Sequence, residues 1–423
     1  MTRVALLPSS YPPALGGVEE LTRHLALALV DAGDEVEVWT PHGDDAQPET
    51  VEVRDDLIVR RFPMPLPAVK WSSLYRSATI GPRTLFSLRN AVDAFRPDVL
   101  NVVCFGPNGA YATTLARFTG LPLVVSLHGE TVMDDADIFE TSRVLRRALR
   151  RGLRAAAAVT ACSAFTLADA ERRFGLAPGR GSVIPSGVDL AGVHSAGADG
   201  VDDPPSTGSE GQRAPGHLPA AGRPYVLALG RVVHKKGFDL LVEAYAGIGE
   251  SRRTADLVVG GTGPALEELR SRAETLGLRE SVHFPGRLSR SQVTRYMAGA
   301  DLFVLPSRVE PFGIVILEAW RAGVAVVATD RGGPPELVRD GVDGVLVDPF
   351  DTTSFTEAIE GILTDDTRRS AVAAAGRARV AEFAWPVVVE RYRSLYASVT
   401  ASREAAGGPD HGLSVPHQGE SVS

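Results

Sequence analysis

The sequence predicts an α/β fold of two Rossmann-like domains, each built on a parallel sheet, that face each other across a cleft. Short apolar segments typical of strands alternate with helical segments along both halves of the chain. Such alternation indicates parallel sheets covered by helices on both faces. The two series have similar lengths, and a stretch with almost no large apolar residue separates them at 191–222. One large doubly wound sheet is the alternative, but 423 residues suit two domains better.

The first domain is expected to span residues 1–190. Its strands are predicted at 3–7, 35–40, 99–103 and 123–127, and its helices at 18–32, 83–95, 109–118 and 163–174. Gly33 follows the first helix and suits a C-terminal cap, where a left-handed backbone is common. Residues 1–8 hold too short an apolar run for a signal peptide, so we expect a first strand there.

The second domain is expected to span residues 223–383. Its strands are predicted at 225–229, 256–259, 282–284, 302–305 and 325–328, and a final apolar helix is predicted at 384–401. Residues 191–222 are rich in Gly, Ala, Pro, Ser and acids, and the tail 402–423 has the same character. Both segments bury too little apolar surface to offset the entropy of ordering, so we expect a disordered linker insertion and a disordered tail.

The composition is that of a water-soluble enzyme. The formal charge of −8 gives no general attraction to nucleic acid, so no nucleic-acid partner is expected. The two cysteines, Cys104 and Cys162, lie among apolar or small residues and are expected to be buried free thiols. The sequence contains no apolar run long enough to span a membrane. A reducing cytoplasm is the expected location.

Glu310 and Glu318 lie at the two ends of a turn that leads into a helix. The helix is expected to start near Gly313, so backbone N–H groups from Phe312 to Ile314 are free to bind an anion. At roughly 1.5 Å of rise per helical residue, the two acids are separated by about the length of a sugar phosphate. Carboxylates accept paired hydrogen bonds from vicinal hydroxyls, so a nucleotide sugar matches this arrangement.

A basic loop precedes this turn in the sequence. The strand at 225–229 runs into the Gly-bounded loop 230–237, and a helical pattern follows. Ligands of open parallel sheets bind at the carboxyl ends of strands, where Arg231 and Lys236 can neutralise a diphosphate. A solvated basic turn is the alternative interpretation of this loop.

Seven motifs together resemble glycosyltransferase family 4, the retaining transferases of the GT-B fold. They are Gly16-Gly17, His128-Gly129, 183–189, 230–237, 260–264, 310–318 and 332–336, and they span most of the chain. The resemblance implies an acceptor domain first, a nucleotide-sugar domain second, and a last helix that crosses back to the first domain. It also implies transfer of a hexose from a UDP- or GDP-sugar to a hydroxyl of a glycan, lipid or small molecule, with retention of configuration.

The resemblance also assigns residues. Equivalents of Glu318 bind the ribose, those of Glu310 bind the donor sugar, and Arg287 falls where the family chain passes the base. The implied catalytic residues are His128, Arg231, Lys236 and Glu310. The implied donor-binding residues are Gly16, Gly17, Arg231, Lys236, Gly261, Arg287, Glu310, Phe312, Gly313, Ile314 and Glu318. No Asp-x-Asp cation site stands out, and two side-chain cations at the diphosphate could replace Mg²⁺, so we expect no metal and no cofactor beyond the donor itself.

Two features of the first half have alternative interpretations. Gly16 and Gly17 allow close approach of a ligand to the backbone, but an ordinary turn also explains them. His128 ends a predicted strand at the ligand-binding edge, although a structural histidine is equally compatible with this position. The family often has Asp after this His, whereas Gly129 follows here.

Arg143, Arg147, Arg150 and Arg154 recur at helical spacing and form a cationic stripe. Such a helix can dock peripherally on the anionic inner face of a membrane, but a solvated helix face also explains it.

Other functions remain open from sequence. A nucleotide-sugar epimerase or a sugar phosphorylase can share this architecture, and a non-catalytic binding protein would keep the Glu pair without turnover. No carboxylate is placed as an obvious covalent nucleophile, so departure and attack on one face of the sugar are expected.

Overall fold

The computed structural model describes residues 1–14, 16–42, 49–67, 71–134, 137–190 and 223–405. These residues form two sheets, each flanked by helices, so the predicted two-domain α/β fold is confirmed and the single-sheet alternative is wrong. The predicted linker insertion at 191–222 lies outside the described residues. The predicted tail lies outside them from residue 406 onward.

The first sheet has the strand order β3-β4-β2-β1-β5-β6-β7-β8, and only β3 and β4 pair antiparallel. Its described strands are β1 (Arg3–Pro8), β2 (Glu35–Pro41), β3 (Thr50–Arg54), β4 (Leu57–Phe62), β5 (Val99–Val103), β6 (Leu123–Leu127), β7 (Ala158–Ala161) and β8 (Gly181–Val183). Its described helices are α1 (Gly17–Asp31), α2 (Trp71–Phe95), α3 (Pro107–Thr119), α4 (Glu130–Met133), α5 (Ile138–Thr141), α6 (Arg143–Ala155) and α7 (Ala164–Phe174).

The central strands β1, β5 and β6 are mostly aliphatic and almost completely buried because helices cover both faces of the sheet. The four predicted strands of this half lie within one residue of observed strands. Four others, β3, β4, β7 and β8, were missed. β3 and β8 are short edge strands, β7 consists mostly of small residues, and two arginines interrupt the apolar run of β4. Helix α2 starts twelve residues before the predicted position, since the chain continues helical through Pro82, which normally breaks a helix.

The second sheet has the order β11-β10-β9-β12-β13-β14, and every pairing is parallel. Its described strands are β9 (Tyr225–Leu229), β10 (Asp256–Gly260), β11 (Val282–Gly286), β12 (Leu302–Leu305), β13 (Ala325–Thr329) and β14 (Val345–Val347). Its described helices are α8 (Phe238–Gly247), α9 (Leu266–Thr275), α10 (Arg290–Ala298), α11 (Ile314–Ala322), α12 (Pro334–Leu337), α13 (Thr352–Leu363) and α14 (Asp366–Arg379). Single 3₁₀ turns occur at His234–Lys236, Glu250–Arg252 and Val380–Phe383.

The last helix, α15 (Trp385–Ala405), crosses from the second sheet back to the first, as the family resemblance implies. Its apolar face joins one buried cluster with residues of α1 and the first sheet. At the centre of that cluster, Asn101 donates a hydrogen bond to the Tyr396 hydroxyl at 2.7 Å. Arg393 binds Asp34 at 2.9 Å. The helix continues four residues past the predicted end at 401.

Candidate active site

Lys236 and Glu310 meet at the carboxyl ends of the neighbouring strands β9 and β12. The Lys236 ammonium donates to Glu310 Oε2 at 2.7 Å, and the Ser307 hydroxyl donates to the same oxygen at 2.9 Å. Glu310 is only 7% exposed, so its charge is held in a poorly solvated place by these two donors. Sequence reasoning missed Ser307, although it stands two residues after the end of β12, the strand that positions Glu310.

Glycines let three loops approach one another around this pair. A Cβ on Gly237, whose φ is +67°, would lie 2.0 Å from the Pro306 carbonyl oxygen. A Cβ on Gly261, at φ +137°, would lie 1.8 Å from the Gly230 carbonyl oxygen. Gly261 therefore brings the end of β10 against the loop that carries Arg231 and Lys236. Arg231 is exposed in that loop.

Arg308, which sequence reasoning did not select, holds the loop that carries Lys236. Its guanidinium binds both carboxylate oxygens of Asp239, at 2.7 and 2.6 Å, and donates to the His234 carbonyl oxygen at 2.7 Å. Its own N–H donates to the Lys235 carbonyl oxygen at 3.0 Å. A two-point arginine–carboxylate pair fixes orientation as well as distance, so the 3₁₀ turn His234–Lys236 is firmly placed. No local motif marks such a long-range partner in a sequence.

Gly313 is the N-cap of α11 in a left-handed conformation, with φ of +95°. No described side chain caps this helix end, so its first N–H groups face the loops around Glu310 without a side-chain partner. The Phe312 side chain is buried in the core of the second domain, where its ring contacts Phe383 edge-on. Phe312 can therefore contribute only its backbone to a ligand. Ile314 packs its partly buried side chain at the junction of the two domains' cores.

Glu318 lies one turn further along α11. The surrounding protein raises the pKa of its carboxyl group by desolvation, although part of the side chain remains accessible, and nearby Arg321 and Arg290 oppose that rise. Arg290 also pairs with Glu20 of α1, so one arginine joins the first domain to the surroundings of Glu318. Arg287 is exposed at the end of β11, three residues before Arg290.

His128 follows β6 in the first domain. Both ring nitrogens are shielded from solvent and have no hydrogen-bond partner among the described residues. Desolvation lowers the pKa of His128 to about 4, so the ring is neutral at physiological pH. A neutral imidazole can exchange hydrogen bonds with a sugar hydroxyl, but it is a weak base and does not neutralise a diphosphate.

Glu130 fixes the backbone at His128. Its carboxylate accepts the His128 N–H at 2.8 Å and the Phe105 N–H at 2.7 Å, which ties the ends of β5 and β6 together. Burial raises the pKa of Glu130, and those backbone hydrogen bonds counteract the rise. Sequence reasoning also missed Glu130, because a single Glu after His-Gly forms no recognisable motif.

The first domain contacts the second directly beside Glu310. Gly129 has φ of +94°, and a Cβ there would lie 2.2 Å from Pro311. The absence of a side chain at Gly129 thus allows the strand end of His128 to touch the residue after Glu310. The Ser163 hydroxyl donates to the Pro311 carbonyl oxygen at 2.6 Å. The Glu336 carboxylate caps α7 by accepting two backbone N–H groups at 2.6 and 2.8 Å.

Gly16 and Gly17 stand at the start of α1, at the carboxyl end of β1. A Cβ on Gly16 would lie 2.5 Å from a carboxylate oxygen of Glu19, while one on Gly17 would meet no described atom within 4 Å. Gly17 therefore borders open space beside the strand end, whereas Gly16 lies against Glu19.

The predicted residues fall into two groups. In the first group, Lys236 and Glu310 form a hydrogen bond. His128 belongs with them because its neighbour Gly129 contacts Pro311, the residue after Glu310. The other predicted residues stand on neighbouring loops and helix ends of the same two sheet edges. Within the described ranges, no group of three or more His, Cys, Asp or Glu side chains could hold a metal ion. Cys104 and Cys162 are buried and free, and no described helix is long and apolar enough to cross a membrane.

Comparison with known proteins agrees with this architecture. Residues 15–191 match the family model described as Glycosyltransferase Family 4, and residues 213–379 match that described as Glycosyl transferases group 1. The D-inositol 3-phosphate glycosyltransferase of Xylanimonas cellulosilytica is 30% identical over 92% of this chain and 93% of its own. A GDP-mannose-dependent alpha-(1-6)-phosphatidylinositol monomannoside mannosyltransferase of Mycobacterium tuberculosis is 29% identical over 95% of this chain and 100% of its own.

Solved structures share the fold. Sucrose-phosphate synthase from Thermosynechococcus elongatus superimposes with a TM-score of 0.74 at 24% identity, over 95% of this chain and 100% of that one. Anabaena HepE in complex with UDP-glucose gives a TM-score of 0.67 at 20% identity, over 94% of this chain and 100% of that one. The chain therefore belongs to glycosyltransferase family 4, and it is a glycosyltransferase with the GT-B fold.

Proposed function

We propose that this chain transfers a hexose from a UDP- or GDP-sugar to a hydroxyl acceptor, with retention of configuration and without a metal ion. The observation that carries the proposal is the Lys236–Glu310 pair together with two neighbouring features. Three residues after Glu310 is the start of α11, which no described side chain caps, and the ring of His128, next to the Gly129–Pro311 contact, has no hydrogen-bond partner among the described residues. The cation and the helix end suit a diphosphate. The carboxylate and the neutral imidazole suit the hydroxyls of the sugar it carries.

The relatives support a nucleotide sugar as donor. The name of the mycobacterial relative specifies GDP-mannose, and the HepE structure contains UDP-glucose. In this chain Glu318 would bind the ribose and Arg287 would flank the base. Neither residue distinguishes uracil from guanine, so the donor is defined here as a class.

The mechanism we propose needs no metal because cations of the protein stand at the diphosphate. Lys236, and Arg231 in the same loop, would neutralise the charge that develops as the diphosphate leaves. Glu310 is already bonded to Lys236 and Ser307, so it would position the sugar and not attack it. Attack on the face from which the diphosphate departs then gives retention.

We further propose a cytoplasmic location with peripheral contact to an anionic membrane, consistent with the two free thiols. Arg143, Arg147, Arg150 and Arg154 are all exposed on α6, whose opposite face is buried. Helix α3 packs against α6 and carries Phe118, which is 74% exposed. Helix α2 packs in turn against α3 and carries Phe86, which is 68% exposed. Cationic and aromatic side chains together suit a lipid interface.

The test is a panel of nucleotide sugars incubated with and without acceptors, including inositol phosphates and phosphatidylinositol mannosides. Acceptor-dependent release of nucleoside diphosphate, unaffected by EDTA, supports the proposal, and NMR of the product's anomeric proton reports retention. Isomerisation without acceptor would indicate an epimerase, phosphate-dependent turnover a phosphorylase, and binding without turnover a non-catalytic protein. Sedimentation with phosphatidylglycerol vesicles, but not with pure phosphatidylcholine vesicles, tests the membrane contact.

A further inference from the structure

Lys235, the neighbour of Lys236, reaches across the cleft to the first domain. Its ammonium donates to the carbonyl oxygens of Val132 and Asp134, at 3.1 and 2.6 Å, and to Asp137 Oδ1 at 2.8 Å. An ammonium has three N–H donors, so these three acceptors saturate it. The first two acceptors are carbonyls at the end of α4, where a helix leaves its last C=O groups free and attracts a cation.

Helix α4 is firmly connected to His128. It starts two residues after His128, and the Gly129 carbonyl oxygen accepts the N–H groups of Val132 and Met133 at 3.0 and 2.8 Å. The side chain of Glu130, its first residue, accepts the His128 N–H. A displacement of the end of α4 would therefore also displace the backbone of His128, because hydrogen bonds connect the two.

Lys235 is equally well connected to the second domain. It lies in the 3₁₀ turn that Arg308 holds, and its carbonyl oxygen accepts the Arg308 N–H. Lys236, in the same turn, binds Glu310 within its own domain. The two lysines therefore extend from one rigid turn in different directions, one to the donor site and one across the cleft.

We propose that Lys235 is a closure latch, a positioning residue that joins the diphosphate loop to the segment carrying His128. The inference rests on the proposed nucleotide-sugar chemistry. Arg308 already holds the turn, so the three hydrogen bonds from Lys235 to α4 and Asp137 act between the two domains. They favour the closed arrangement, in which Gly129, the neighbour of His128, contacts Pro311 beside Glu310. Lys235 itself does not contact the donor, because all of its donors are committed to the first domain.

The experiment compares Lys235→Met, Lys235→Arg and a matched control, Arg252→Met, in the full chain. Arg252 pairs with Glu360 at 2.8 Å entirely within the second domain, so its loss tests removal of a surface ion pair without an effect on closure. For each variant we would measure kcat, the KM of the donor and the Kd of the nucleoside diphosphate. Fluorescence energy transfer between dyes on the two domains would report the closed fraction with nucleotide bound.

For Lys235→Met we expect kcat to fall about tenfold and the closed fraction to drop, while the nucleotide Kd changes by less than about threefold. Lys235→Arg should recover most of the kcat and most of the closed fraction. Arg252→Met should match the wild type in both quantities. An unchanged kcat and closed fraction in Lys235→Met would overturn the latch. A parallel loss of nucleotide affinity would also overturn it, since Lys235 would then be a phosphate ligand. If the wild type transfers no sugar, the proposed function fails first, and the closure measurement still reports on the latch.

Discussion

Substitutions at the two ends of the Lys236–Glu310 pair should affect nucleotide affinity unequally: loss of the lysine weakens binding, whereas loss of the carboxylate charge does not. In the free protein the Lys236 ammonium is already bonded to Glu310 at 2.7 Å, and Glu310 is 7% exposed. A diphosphate must therefore share or take over a cation that has a buried partner. A hydrogen bond to a charged group contributes about 1.5–3 kcal/mol, and about 1.4 kcal/mol corresponds to tenfold in affinity. Lys236→Met should accordingly weaken binding of the nucleoside diphosphate by about tenfold or more.

Glu310→Gln removes the competing negative charge and leaves Lys236 with a weaker, neutral partner. The nucleoside diphosphate, which lacks the sugar, should then bind as tightly as to the wild type, or up to about tenfold more tightly. Turnover should nevertheless fall, by about a hundredfold, because the sugar loses a charged acceptor for its hydroxyls. Isothermal titration calorimetry with the diphosphate and steady-state kinetics with the full donor separate the two effects.

Glu360→Gln is the matched control, since Glu360 pairs with Arg252 far from the cleft residues. Glu360→Gln should change neither the affinity for the nucleoside diphosphate nor the turnover. The reasoning is refuted if Glu310→Gln weakens diphosphate binding as much as Lys236→Met does, because Glu310 would then support the phosphate site and not compete for its cation.

Two further predictions concern the first domain. The pKa of His128 is lowered to about 4 from 6.5, so the unfolded chain binds more protons between those values and stability should decrease as pH falls through that window. At about 1.4 kcal/mol per pKa unit, the loss in the free energy of unfolding approaches about 3 kcal/mol. Urea titrations at pH 7 and pH 4.5 should show a smaller loss of this free energy for His128→Gln than for the wild type. Gly129→Ala and Gly120→Ala both place a side chain at positive φ and should each cost about 1 kcal/mol or more in the free energy of unfolding. Only Gly129→Ala should also lose turnover, because only its Cβ would meet Pro311; equal turnover in the two variants would contradict the contact.

Local patterns predicted the elements whose side chains are uniformly buried. Strands such as Tyr225–Leu229 and Leu302–Leu305 were predicted to the residue because both faces are covered and every position is apolar. The short strands β7 and β8 lack such a run, and each depends on pairing with the strand before it, β7 with β6 and β8 with β7. The start of α2 was misplaced because packing of that helix outweighs the local effect of Pro82.

The candidate site shows the same division. Glu310, Lys236 and the glycines around them follow strands at recognisable spacings, so the sequence alone could select them. Arg308 could not be found in this way, because its partners Asp239 and His234 lie about seventy residues earlier. Ser307 and Glu130 each bond a residue two or three positions away, but no recognisable motif marks either of them. Lys235 was also overlooked, since its three acceptors lie about a hundred residues earlier and belong to the other domain.

Because helix α15 returns to the first sheet, the two halves of the chain cannot be exchanged as independent domains. Its sequence is continuous with the second half, yet its Tyr396 and Arg393 complete the core and surface of the first. A chimera that exchanges donor specificity between relatives must therefore retain residues 385–405 from the parent that supplies residues 1–190. If the junction is instead placed at the linker alone, α15 and the first sheet that it covers will come from different parent proteins. A loss of activity caused by mismatched packing will then be mistaken for a loss of donor specificity.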